Sequence, residues 1–184
     1  YPNSRPKLNC IHPLALLAVL LLNCISFSAF VEQLVDTKPS SPEMPWRLLL
    51  YSDDITPGNQ LPPTNDRKIQ ALYWSFLEFE QHLSDEILWF PLTTKRSSKI
   101  AEVSGGMSQV FGAVLKMLFV REPFEFGGVA FTLQSGRRIR IHAKVGAFVQ
   151  DGGAHKLTRH TKGDSGMKFC LLCRNVFSSV GVLG

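Results

Sequence analysis

The sequence predicts a mixed α/β fold, α+β in the way helices and strands follow one another, on three observations. The apolar run Leu48-Leu49-Leu50-Tyr51 is strand-like and stops on Asp53 and Asp54. From Gly106 onward, Met107, Val110, Phe111, Val114, Leu115, Leu118 and Phe119 recur at steps of three and four, the period of a helix with one apolar face. Val129 to Leu133 and Arg138 to His142 alternate about Ser135-Gly136, which reads as a hairpin.

A chain of 184 residues can form one sizeable core, or one domain with an appendage. An apolar fraction of 45% with 19% charged residues excludes a disordered polyelectrolyte. The net charge of +5 is unevenly placed, with nine Lys and Arg between Arg137 and Arg174 opposed by Asp151 and Asp164. Arg137, Arg138, Arg140, Lys156, Arg159 and Lys162 are therefore expected contacts for a polyanion such as DNA. A solvated basic face is the alternative. The chain opens on Tyr1 without an initiator Met, so it is expected to be a piece of a longer product.

Residues 1–35 are expected to form an apolar N-terminal helix, 36–45 a Pro-rich linker, and 46–184 the core. No Asp, Glu, Lys or Arg occurs from Leu8 to Val31, a length sufficient for a membrane span. Arg5 and Lys7 ahead of it also resemble the basic start of a signal sequence. Phe27, Phe30, Val31 and Leu34 instead recur with the spacing of a buried helix, and both readings stand open. In the linker, Pro39, Pro42 and Pro45 are incompatible with a helix or a central strand.

Arg47 to Ser52 is the first expected strand, followed by a turn at Thr56-Pro57-Gly58-Asn59 and a Pro-rich loop to Arg67. Ala71 to Phe79 is the second, and Glu80 to Glu86 is a polar stretch with a short helix or turn from Ser84-Asp85. Ile87 to Thr94 is the third, where Pro91 demands an edge or a bulge. Three strands in sequence with short connections predict an antiparallel meander, covered by the helix from Gly106. Ser108 or an earlier residue should cap that helix, and Pro123 with Gly127-Gly128 should end it. A last strand, Val145 to Gln150, delivers Asp151.

An acid at the mouth of a hydrophobic strand is costly to desolvate unless it is hydrogen-bonded, paired or bound to a cation. Asp53 and Asp151 each follow an apolar strand and suit one shared metal site, with Asp54 the alternative first acid. Turn-opening Asp residues are the competing reading. Cys170 and Cys173 form half a zinc site, which His155 and His160 would complete as His-x4-His-x9-Cys-x2-Cys. Unliganded thiols, a redox pair, or a disulfide with Cys10 or Cys24 are the alternatives. Gly152-Gly153 and Gly163-x-x-Gly166 match no phosphate-cradling loop, and no Ser or Cys nucleophile pairs with a His. Trp46, Trp74 and Trp89 read as core or core-edge packing.

Taken together, Leu49-Leu50-Tyr51-Ser52-Asp53, the later Asp151, and the segment from Lys162 to Arg174 with its Cys170-x-x-Cys173 resemble cut-and-paste DNA transposases of the CACTA and Plavaka type. The resemblance covers roughly Trp46 to Asn175. It implies an incomplete ribonuclease H-like mixed sheet with a Cys-x-x-Cys-bearing loop. It further implies Asp53, with Asp54 as the fallback, and Asp151 as catalytic acids holding Mg2+ or Mn2+. DNA would be the partner, the location nuclear, and a homo-oligomer stays open. The apolar N-terminal helix would then be buried. A non-enzymatic zinc-binding interaction module and a membrane-anchored or secreted protein are the competing functions. The family's third acid is expected beyond Gly184, so the chain as given should be catalytically inactive.

Overall fold

In a computed structural model, the described residues are 10–56, 68–121 and 124–150. β1 (Trp46–Ile55), β2 (Ile69–Phe76) and β3 (Phe90–Arg96) form the expected antiparallel meander. β6 (Ala143–Gln150) then adds to the other side of β1 in parallel, giving a mixed sheet in the order β3-β2-β1-β6. A parallel neighbour needs a long crossover. The chain between β3 and β6 supplies it with α3 (Ser97–Ala101), α4 (Gly106–Lys116), and the hairpin of β4 (Val129–Thr132) and β5 (Arg138–Ile141). The hairpin is a separate two-stranded sheet, turned by Gly136 at a φ of 84°.

Alternation along β1 sorts its side chains onto two faces. Leu48, Leu50 and Ser52 pair with Phe76, Trp74 and Leu72, and all six are buried. The apolar members of that set share one core with Leu14, Leu17, Leu21, Val31 and Leu34 from the N-terminal segment and with Met107, Val110, Phe111 and Val114 from α4. Full burial of each such aliphatic or aromatic side chain is worth about 1.5–3 kcal/mol. The odd face carries Leu49, Tyr51, Asp53 and Ile55.

Several sequence expectations are corrected. The N-terminal segment is not one helix but two, α1 (Pro13–Asn23) and α2 (Ile25–Thr37), bent by 104° at Cys24. β1 does not stop before its acids: pairing with β2 continues through Asp53↔Ala71 and Asp54↔Gln70 to Ile55↔Ile69. β2 ends at Phe76, because Leu77–Ser84 turns into a 3-10 helix, followed by a second at Glu86–Leu88. Of the two expected capping positions it is the earlier one that holds: Gly105, not Ser108, caps α4, in the left-handed region at a φ of 82°, where a glycine is at ease. Past Lys116 a π-helical turn, Met117–Arg121, carries Leu118 into the core. Pro91 does lie on an edge strand, beside a register shift between Leu72 and Tyr73.

The linker is fastened to the sheet. Ser40 Oγ donates to His142 O at 2.8 Å and accepts from the His142 N–H at 2.7 Å. Trp46 Nε1 donates to Lys38 O at 2.9 Å.

Candidate functional site

On the odd face of the sheet lies a cleft of about 530 Å³ lined by Tyr51, Asp53, Ile55, Tyr73, Glu86, Trp89 and Val149. Strand register assembles it, since Tyr51 is the cross-strand partner of both Tyr73 on β2 and Val149 on β6. The Tyr51 and Tyr73 rings stack at 6.1 Å, and Trp89 meets Tyr51 edge-on at 5.7 Å. Trp89 is held there by its Nε1, which donates to Leu83 O at 3.0 Å. Trp46 and Trp74 are core residues and Trp89 is half-buried at the core edge, where it walls the cleft.

Of the two neighbouring acids on β1, the one that faces this cleft, which Glu86 also lines, is Asp53. Its Oδ2 accepts from the Tyr51 hydroxyl at 2.8 Å, and its Oδ1 accepts from the Asp54 N–H at 2.7 Å. A carboxylate has about four lone-pair sites, so two donors leave capacity for a cation. Asp54 alternates onto the opposite face, where Lys68 Nζ sits 2.6 Å from its Oδ2. Its Oδ1 is buried without a hydrogen-bond partner among the described residues. The lysine already neutralises Asp54, so Asp53 is the better placed of the two to take an external cation.

The strand that leads to the second expected acid lies beside β1. Ser52 pairs with Gln150, whose Nε2 donates to Ser52 Oγ at 2.8 Å. β6 ends at Gln150, one residue before Asp151. The phase of β6 is set by a bulge at Gly146, where the register slips between Leu48↔Val145 and Leu49↔Ala147. A Cβ at Gly146 would sit 2.7 Å from Arg47 Cβ and 3.2 Å from Leu48 O, so the bulge needs a residue without one. Asp151 itself lies outside the described residues, as do His155, His160, Cys170, Cys173, Lys156, Arg159 and Lys162. Among the described residues no group of three or more His, Cys, Asp and Glu is arranged to hold a metal ion. Among the described residues Cys10 and Cys24 form no disulfide.

The described part of the basic cluster is partly committed within the molecule. Arg137 Nη2 donates to Asp36 Oδ1 at 2.8 Å, and its Nη1 lies 3.6 Å from Glu32 Oε1. That guanidinium holds the Asp36 carboxyl below its ordinary value, by hydrogen bonding first and charge second. Arg140 Nη1 donates to Gly127 O at 2.8 Å and Gly128 O at 3.1 Å. Arg138 is exposed.

Tyr51, Tyr73, Glu86 and Trp89 were not singled out from sequence as site residues. The usable signal was phase: Tyr51 and Tyr73 stand out of step with the core-facing Leu48, Leu50, Leu72 and Trp74. Among the described residues no single helix is long and apolar enough to cross a membrane; α1 and α2 reach that length only as a bent pair. No protein-family model matches this chain, and no curated protein or solved structure is significantly similar to it.

Proposed function

We propose that this chain is the metal-binding core of a transposase-like DNA-processing protein with a ribonuclease H-like sheet, in which Asp53 and Asp151 hold Mg2+ or Mn2+. The observation that carries this reading is the parallel pairing of β1 and β6 up to Ser52↔Gln150. Both acids directly follow that rung in sequence. The mixed sheet, with its meander extended by a parallel strand, is of the kind such a core requires.

The chemistry of Asp53 fits a hard divalent cation, which takes oxygen ligands. When bound, the cations would supply charge neutralisation and an activated water or 3′-hydroxyl for phosphoryl transfer. The chain's own residues prepare the acid. Tyr51 and the Asp54 N–H fix the carboxylate by one bond to each oxygen, and Lys68 keeps Asp54 from competing for the cation. Zn2+ on His155, His160, Cys170 and Cys173 is proposed beside it as a structural site, on their spacing alone.

Cation binding, rather than turnover, is the decisive test. A ligand that binds the folded state alone stabilises it by about 2.7 kcal/mol at a hundredfold excess over its Kd. Mg2+ or Mn2+ should therefore raise the melting temperature of the wild-type chain. Asp53→Asn should abolish that rise, whereas Asp54→Asn should keep it. An equal response in Asp53→Asn rejects the assignment.

A further inference from the structure

The cleft on the odd face joins three aromatic rings, Tyr51, Tyr73 and Trp89, to two carboxylates, Asp53 and Glu86. No Lys, Arg or His is found among its described lining residues. We propose that this cleft binds a methylated ammonium group, the chemistry shared by trimethyllysine side chains and choline headgroups.

Aromatic faces carry negative charge density and attract a cation within about 6 Å of the ring centroid. Quaternary ammonium groups suit such walls because they are weakly hydrated and apolar on the outside. Asp53 and Glu86 supply the counter-charge that an uncharged aromatic slot would lack. The Tyr51 hydroxyl is turned to Asp53, so ring and carboxylate are held as one unit. A cleft of about 530 Å³ has room for the headgroup and part of its stem, since small-molecule sites run from about 300 to 1,000 Å³. An anionic ligand with no cationic end would instead meet two carboxylates and no described Lys, Arg or His, which disfavours it.

This inference goes beyond the DNA-processing reading and shares Asp53 with it. Binding is first measured by isothermal calorimetry with tetramethylammonium chloride on the whole chain. Trimethyllysine peptide and phosphocholine then distinguish the two sources. Saturable binding of tetramethylammonium is expected, with the uncharged tert-butyl isostere weaker by roughly tenfold. Glu86→Gln, at an exposed position of a 3-10 turn, should weaken binding by roughly three- to tenfold without changing the melting temperature. Tyr73→Leu should weaken it as well.

Equal binding of the isostere, an unaffected Glu86→Gln variant, or no saturable binding to the folded wild-type chain would overturn the inference. The two readings fail separately. A Mg2+ response without ammonium binding sinks this proposal alone, and ammonium binding without a Mg2+ response sinks the metal assignment alone. If both hold, Mg2+ should weaken tetramethylammonium binding through the shared Asp53.

Discussion

Glu78 has 9% of its surface exposed, and a carboxylate so placed is tolerated only with partners. Arg47 provides two, its backbone N–H at 2.8 Å and its Nε at 3.0 Å. Glu78→Ala would strand the Arg47 N–H near the start of β1, a loss worth about 1–3 kcal/mol. The expected result is a lower urea midpoint with an unchanged m-value, and Glu78→Gln should lose less because it keeps an acceptor. A different local effect governs Cys24, at the bend between α1 and α2. The N–H of Phe27 and the hydroxyl of Ser26 draw its thiol below the ordinary value. More thiolate is then present at neutral pH, and thiolate is the reactive form. Ser26→Ala should raise the thiol's pKa and slow alkylation of Cys24 by iodoacetamide, read by peptide mapping. The difference should vanish at a pH high enough to ionise both forms.

At the level of elements, the parts legible in sequence were those whose evidence is local. The α4 face was readable because Met107, Val110, Phe111 and Val114 repeat within one short segment, and all four are buried. The edge position of β3 was readable because Pro91 has no N–H to give a neighbour. The parallel seat of β6 was not readable, because nothing near Val145 names a partner nearly a hundred residues back. The cleft was hidden for the same reason, since it joins Tyr51 to Val149. The bulge at Gly146 decides which face each later residue of β6 takes, as a one-residue slip reverses every side chain. Gly146→Val forces a contact with Arg47 Cβ and Leu48 O, and overpacking of this kind costs about 1–3 kcal/mol. Hydrogen exchange should show β6 amides losing protection while those shared by β2 and β3 keep theirs.

A second test at this scale concerns the Asp36–Arg137 pair, which ties α2 to the approach of β5. Because the folded chain holds Asp36 below its ordinary value, the unfolded chain takes up the proton more readily. The pair's stabilisation is therefore present above the ordinary carboxylate range and is lost as the pH falls through it toward the depressed value. Arg137→Met should flatten that part of the acid-denaturation curve, and added salt should shrink the difference because the pair is exposed.

For the molecule as a whole, the decisive question is what the uncharged stretch from Leu8 to Val31 does. Hydropathy could not answer it, because a span and a buried helix pair both lack charge. Where the side chains of that stretch pack among the described residues is the further information the structure adds. Leu14, Leu17 and Leu21 fall on one face of α1 and are buried, while Val19 and Leu22 on the other side are 56% and 52% exposed. The buried set shares a core with Leu50, Trp74 and Phe111, so α1, the sheet and α4 should unfold together. Leu17→Ala and Leu21→Ala each remove a side chain at 1% or less exposure, and large-to-small changes in such positions cost about 2–5 kcal/mol. Urea unfolding followed by both far-UV circular dichroism and tryptophan fluorescence is the appropriate measurement, because Trp46 and Trp74 report on the sheet. Both signals should shift to lower urea together in either variant. A tryptophan transition that stayed in place while helical signal was lost would mean that the N-terminal pair is an independent attachment, not a layer of this core.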